Sequence, residues 1–270
     1  MYLKVKKHLP TPIKRSLKSL VDMKTFYQMK TAKVYPEPIF ILGHAKSGTT
    51  AIASLLAKVS GQPVTIDPIF RIDPEGYLQQ QLLSGELQFE ELVEVYKFYF
   101  STPINKDPKL TFFYDDLSRC FPLAKFIFVI RDPRDNIRSF LNRRGIPGNL
   151  DKLTEDQHKW IGNLPPIAGK NYIEKLANRW NLAADTYLNH QDRFMLIRYE
   201  DFVLDKIGTT RSLAEKVGLI ANHDISDYVN LQYQPSGDRQ VSWAEFFQKE
   251  NLHLIETLCS QRMSCFGYSC

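Results

Sequence analysis

Four cysteines in 270 residues, Cys120, Cys259, Cys265 and Cys270, are few for the length, and none falls in a CxxC pair. A zinc ribbon or a disulfide-built scaffold is therefore not indicated, and reduced thiols are expected, with pairing among the last three reserved for an oxidising compartment. Long apolar runs are missing too: no stretch approaches the roughly 18 residues that cross a bilayer. The N-terminus lacks the apolar core and small-residue cleavage site of a secretory leader, so an intracellular, cytoplasmic protein is expected. No internal repeat or low-complexity tract interrupts the chain. Acidic residues are nearly absent from the first 33 positions, which hold nine Lys or Arg against the single Asp22. Since the whole chain carries only +5, the remainder is mildly acidic, and a uniformly basic surface for nucleic acid is not indicated.

What is present, 43% hydrophobic and 12% aromatic residues, suffices for one sizeable α/β core. The expected division is a basic N-terminal segment, 1–35, and one domain, 36–270. Within the first, Ile13, Leu17, Leu20 and Val21 recur at helical spacing beside Lys14, Arg15 and Lys18. Such a basic amphipathic helix either packs on the core with its lysines reaching water or lies on a membrane surface as a peripheral contact.

The most informative stretch runs from Ile39 to Ala57. Ile39-Phe40-Ile41-Leu42 reads as a buried strand, Gly43 to Gly48 as a tight loop, and Ala51-Ile52-Ala53-Ser54-Leu55-Leu56-Ala57 as a helix. A loop of this kind directs backbone N–H groups and a helix dipole at one point. Lys46 adds a full charge there, and Ser47, Thr49 and Thr50 add hydroxyl donors, so a phosphate-like anion is the expected ligand. The commonest phosphate loop, GxxxxGK[ST], has its lysine directly after the second glycine. Here that position is Thr49 and the lysine lies inside the loop, which suits a shorter anion chain than a nucleoside triphosphate.

Further strands are expected at 63–66, 102–105, 125–130 and 194–197. Helices are expected over 74–99 with a break at Gly85, and over 112–120, 136–144, 173–188, 211–217 and 243–262. The Pro- and Gly-rich segment 145–169 is the expected mobile lid. Strands alternating with helices imply a mainly parallel sheet, whose ligands lie outside the carboxyl ends of the strands. Lys46, Asp67, Lys106, Arg131 and Tyr199-Glu200-Asp201 each follow a different strand, so five segments should meet on one rim.

Gly43-His44-Ala45-Lys46-Ser47-Gly48-Thr49-Thr50 resembles the 5′-phosphosulfate loop of sulfotransferases that use 3′-phosphoadenosine 5′-phosphosulfate, and Arg131 followed eight residues later by Ser139 resembles their 3′-phosphate motif. The resemblance, which in outline spans Ile39 to Tyr268, implies a P-loop-like sulfotransferase fold and transfer of a sulfuryl group to a hydroxyl or amine. It implies Lys46, Ser47, Gly48, Thr49 and Thr50 on the phosphosulfate, Arg131, Ser139 and Arg239 on the 3′-phosphate, Lys106 near the transferring group, and no metal.

The general base is not given by the resemblance, because Asp107-Pro108 follows Lys106 where many relatives place a histidine. Asp67 is the first choice, with Asp107 and His158 behind it, although an aspartate before Pro68 also fits a simple turn. His44, inside the loop, fits a spacer first and a substrate contact second. Tyr199-Glu200-Asp201 is expected to pin the loop after the fourth strand, Trp180 and Trp243 to fill the core, and Trp160 to line an acceptor cleft. The acceptor would be a carbohydrate, glycolipid or small molecule. A small-metabolite kinase is the alternative activity; a non-catalytic protein recruited to membranes by its N-terminus is the third reading.

Overall fold

The structure is a computed structural model that describes residues 27, 29–162, 165, 167–233 and 241–269. The expected basic helix around residues 12–21 lies outside the described residues. No helix among the described residues is long and apolar enough to cross a membrane.

Five strands, β1 (Ile39–Gly43), β2 (Val64–Ile66), β3 (Ile104–Lys106), β4 (Lys125–Ile130) and β5 (Phe194–Arg198), form one sheet in the order β2-β3-β1-β4-β5. All of the pairings are parallel, with Ile39 beside both Ile104 and Lys125, and Phe126 beside Phe194. Helices fill the crossovers: α1 (Thr49–Ser60), α2 (Pro68–Ile72), α3 (Tyr77–Ser84), α4 (Phe89–Val95), α5 (Tyr114–Cys120), α6 (Pro133–Asn142), α7 (Glu155–Ile161), α8 (Tyr172–Leu188), α9 (Tyr199–Leu204), α10 (Lys206–Lys216) and α11 (Trp243–Cys265).

The apolar runs of β1 and β4 are continuous because both faces of the sheet are covered. Alternation then divides them by shape. Ile39, Ile41, Ile127 and Val129 pack among residues of α1 and α10, whereas Phe40, Leu42, Phe126, Phe128 and Ile130 pack among those of α8 and α11. On the aromatic side Phe128 is fully buried, with ring centroids 5.5 Å from Phe194 and 5.4 Å from Tyr187. Phe128→Ala should cost about 3–5 kcal/mol in a denaturant unfolding experiment, the range for a large ring removed from a close-packed core.

The sequence expectations differ from the structure chiefly in helix boundaries. Within 74–99 the expected break at Gly85 is present, since Gly85 ends α3 with φ 78°, whereas the start moves to Tyr77 because the Asp73 carboxylate accepts the N–H groups of Gly76, Tyr77 and Gln79. The segment 145–169 contains α7, which a reciprocal capping box starts: Gln157 N–H donates to Thr154 Oγ1 and Thr154 N–H to Gln157 Oε1. Described residues of that segment are also tied down. Tyr172 Oη donates to the Pro147 carbonyl, and Asn251 to that of Gly148. The last helix is kinked at Gln248, whose φ is 59°.

Candidate active site

Strand order sets the order of the polar residues along the carboxyl rim: Asp67, Lys106, Lys46, Arg131, Tyr199. With neighbouring strands about 4.8 Å apart, the row spans about 19 Å with Lys46 at its centre. All five line one cavity of about 1810 Å³, well above the roughly 300–1,000 Å³ that a single small ligand uses. Two reactants can share it.

The loop after β1 is built on close approaches that only glycine allows. A Cβ on Gly43 (φ 128°) would stand 2.2 Å from the Val129 carbonyl oxygen, and one on Gly48 (φ 92°) 2.3 Å from the Tyr199 ring. Thr111 bridges Gly43 by accepting from its N–H at 2.8 Å and donating to its carbonyl at 3.1 Å. Gly48 then starts α1 with no side-chain cap and no acidic residue in the first turn, which leaves that turn's N–H groups and the dipole for an anion. Thr49 and Thr50 line the cavity at this point.

Lys46 itself has φ 73°, an uncommon conformation for a residue with a side chain, and it sits half-buried. Burial, then the charges of Arg143, Arg131 and Lys106, lower its pKa to about 8. The cationic form is the one that attracts an anion, so affinity should hold below about pH 8 and fall above it. Calorimetric titration of 3′-phosphoadenosine 5′-phosphate should give about tenfold weaker binding at pH 9 than at pH 7, and Lys46→Arg should flatten the profile.

Asn136, from the first turn of α6, props the loop from below. Its amide nitrogen donates to the Ala45 carbonyl at 3.0 Å and to Ser47 Oγ at 2.9 Å, while its oxygen faces His44 Nδ1 at 2.6 Å. That pattern makes His44 Nδ1 the donor. Burial and then the Arg179 charge depress the His44 pKa to about 4, so the ring is neutral, and its Nε2 is buried without a hydrogen-bond partner. Ser47 is not brought into the cavity: its side chain is fully buried on this underside, and its N–H donates to the His44 carbonyl at 3.2 Å.

At the other strand ends, Arg131 lies over the Tyr199 ring at 4.6 Å and donates to the Lys46 carbonyl at 3.2 Å. Asp135 stands 3.8 Å away, and Trp180, buried in the core, donates to the Arg131 carbonyl at 2.9 Å. The Arg131 Nε is buried with no partner. Ser139, two turns along α6, lines the same cavity. Glu200 accepts from the Asp132 N–H at 3.0 Å and from Tyr268 Oη at 2.7 Å, so this carboxylate pins the β4 loop to the C-terminal turn. Trp243 is only partly buried and holds Asp135 through its Nε1–H at 2.9 Å. Arg239 lies outside the described residues.

Gly48→Ala should therefore act through Tyr199. The new methyl displaces the ring on which Arg131 rests, and at φ 92° the backbone is strained as well. Binding of 3′-phosphoadenosine 5′-phosphate is expected to weaken by about tenfold or more, since charged hydrogen bonds of about 1.5–3 kcal/mol depend on that placement. Fluorescence or calorimetric titration checks this.

The Asp67–Lys106 pair occupies the β2/β3 end. Lys106 is 3% exposed, not a surface residue, and its Nζ donates to Asp67 Oδ1 at 2.7 Å. Asp67 has φ 52° and ψ 56°, and its side chain remains about one third exposed toward the cavity it lines. Asp107 also lines the cavity but is spent: its oxygens accept from Ile69 N–H at 2.7 Å and Lys109 N–H at 2.8 Å. Burial, then the charge of Asp67, raise its pKa to about 6. His158 is exposed on α7 and does not line the cavity. Trp160 does, with its ring stacked on Phe140 at 5.6 Å. Among the described residues, no group of three or more His, Cys, Asp or Glu side chains could hold a metal ion.

Asn136, Tyr199 and Arg179 are the site residues that sequence reasoning did not single out for these roles. Asn136 carried one signal, its place in the first turn after Arg131, and Tyr199 another, its place after the fifth strand; Arg179 carried none, because its partners are distant in sequence.

The family model described as the sulfotransferase family matches residues 78–223, more than half of the chain, including Lys106, Arg131 and Ser139. No curated protein matches the chain in sequence. Among solved structures, sulfotransferase STF9 from Mycobacterium avium is similar at a TM-score of 0.54 and 13% identity, over 94% of this chain and 83% of that one. The mouse sulfotransferase SULT7A1 complexed with PAP is similar at 0.48 and 15%, over 88% of each chain. The sulfotransferase domain of the Synechococcus PCC 7002 olefin synthase is similar at 0.47 and 17%, over 89% of this chain and 98% of that one.

Proposed function

Since the chain belongs to the sulfotransferase family, we propose that its rim cavity takes 3′-phosphoadenosine 5′-phosphosulfate as donor and passes the sulfuryl group to a hydroxyl or amine of a carbohydrate, glycolipid or small molecule. The observation that carries this reading is the pairing of two separate anion sites in one cavity. One is the uncapped start of α1 with Lys46; the other is Arg131, fixed on Tyr199 with its Nε buried and unpartnered. A donor with phosphate at both its 5′ and 3′ ends fits two such sites. The uncapped first turn of α1 and the Arg131 side chain fit it, since both border the one cavity and leave donors there for an anion.

The donor supplies an activated sulfuryl group on a phosphate leaving group. In the transfer, the acceptor oxygen forms a bond to sulfur as the bond from sulfur to the phosphate oxygen breaks. Lys46 stabilises the negative charge that grows on that phosphate oxygen, and Lys106, at the end of the adjacent strand β3, serves the sulfuryl oxygens. Asp67 takes the acceptor proton: its Oδ1 is oriented by Lys106, and a third of the side chain faces the cavity. Arg131 and Ser139 hold the 3′-phosphate, a charged fork and a single hydroxyl, and so orient the donor.

The test is thermal stabilisation. With a chelator present, 3′-phosphoadenosine 5′-phosphate should raise the melting temperature, by mass action on the folded state. Stabilisation by ATP with Mg²⁺ and none by the bisphosphate would contradict the reading and favour a kinase.

A further inference from the structure

The loop after β1 owes its shape to the orientation of one peptide. Ser47 N–H donates to the His44 carbonyl at 3.2 Å, which closes a four-residue turn with Ala45 and Lys46 at its centre. Lys46 has a φ of 73° and Ala45 does not have a positive φ, the combination of a type II turn. The commoner type I turn joins the same ends with the central peptide turned over, so that φ of the third residue is about −90° instead of about +80°. Glycine or asparagine ordinarily holds that third place in type II, because other side chains disfavour positive φ. With lysine there, the turn left to itself favours type I.

Asn136 opposes the reversal. The direction of the Ala45 carbonyl distinguishes the two turn types, and the Asn136 amide nitrogen donates to that carbonyl at 3.0 Å. The same nitrogen reaches Ser47 Oγ at 2.9 Å, so the residues on both sides of Lys46 are held. The amide is kept from turning round because its oxygen accepts from His44 Nδ1 at 2.6 Å. Its backbone is fixed as well: Asn136 N–H donates to the Asp132 carbonyl at 2.8 Å in the first turn of α6. A planar trans peptide carries its carbonyl and N–H on opposite sides, so a carbonyl held by Asn136 turns the Lys46 N–H away from it. Reversal would exchange the two and move the lysine side chain with them. Asn136 is fully buried and does not border the cavity, so its effect on a ligand passes through this turn.

We propose that Asn136 is a positioning residue for Lys46: it latches the 45–46 peptide in the type II orientation, which aims the lysine at the donor's 5′ end. His44, donating from Nδ1, keeps the latch facing the Ala45 carbonyl. This assignment rests on the donor reading above and adds the device that holds a lysine where such a turn disfavours one.

The experiment is calorimetric titration with 3′-phosphoadenosine 5′-phosphate of four full-length proteins: wild type, Asn136→Ser, Lys46→Gly and the double variant. Serine is neutral and shorter than asparagine, so it removes the latch without adding charge. Glycine adopts positive φ without steric cost, so in the Lys46→Gly background the turn needs no latch. Asn136→Ser should weaken binding about tenfold or more in the wild-type background and less than about threefold in the Lys46→Gly background, a coupling that marks action through Lys46. An asparagine that merely stabilised the fold would cost the same factor in both backgrounds. That result, or undiminished binding in Asn136→Ser alone, would overturn the proposal. If Asn136→Ser does not fold, His44→Phe, which removes the donor that orients the amide, takes its place in the cycle with the same expectations. A wild type that bound no bisphosphate would contradict the donor reading instead, and the same cycle with inorganic pyrophosphate would then decide the role of Asn136.

Discussion

Lys46→Ala is expected to lower the rate of label transfer from donor to acceptor by about 10²–10³-fold, the scale for removing one preorganised group that meets charge developing in the transition state. The loss should fall mainly on kcat. Part of it will appear as weaker donor binding, because the side chain also meets the ground-state anion. The fold should survive: Lys46 is half-buried, and the loop is held by Asn136, Thr111 and the two glycines. Single-turnover transfer with radiolabelled donor, with the melting temperature as the folding control, measures it. Undiminished transfer would remove Lys46 from the mechanism.

Asp67→Asn should cost about 10²–10⁴-fold in kcat, the usual contribution of a general base, while donor affinity stays close to that of the wild type. Asparagine suits this test because it tolerates the left-handed backbone at this position and can still accept from Lys106, yet it cannot take a proton. Asp67→Ala removes both functions and leaves Lys106 buried without its partner, so it should also lower stability. A substitution to asparagine that left kcat intact would return Asp67 to a structural role, that of orienting Lys106.

Much of this site could be read from the chain because of one geometric rule. In a parallel sheet the residue after each strand reaches the same rim, so Lys46, Asp67, Lys106 and Arg131 were legible as a group once the strands were. The strands were legible because Ile39–Leu42 and Lys125–Ile130 are unbroken apolar runs buried on both faces. Residues that act through distant partners were not. Asn136 reads as an ordinary helix position until the β1 loop is seen 89 to 92 positions away on its amide group. Ser47 was expected in the cradle with Thr49 and Thr50, but the turn at Lys46 rotates it to the underside.

Helix α7 was hidden for a different reason. Its flanks hold the prolines and glycines that mark irregular chain, and the capping box at Thr154 is a two-residue signal beside them. Arg179 lay in a helix whose apolar side could be recognised, but nothing local distinguishes a cation that reaches a cavity from one that reaches water. Its distinction is that no carboxylate among the described residues pairs with it, a property of the folded surroundings alone.

The central claim is that Arg131 reads a 3′-phosphate while the β1 loop holds the 5′ end. The most direct measurement is a cycle of four dissociation constants: 3′-phosphoadenosine 5′-phosphate and adenosine 5′-phosphate, each on the wild type and on Arg131→Ala. In the wild type, loss of the 3′-phosphate should weaken binding about ten- to a hundredfold, the range for a charged hydrogen bond. In Arg131→Ala the two nucleotides should bind alike, because the two removals delete the same interaction. A 3′-phosphate that matters as much to Arg131→Ala as to the wild type would contradict the account.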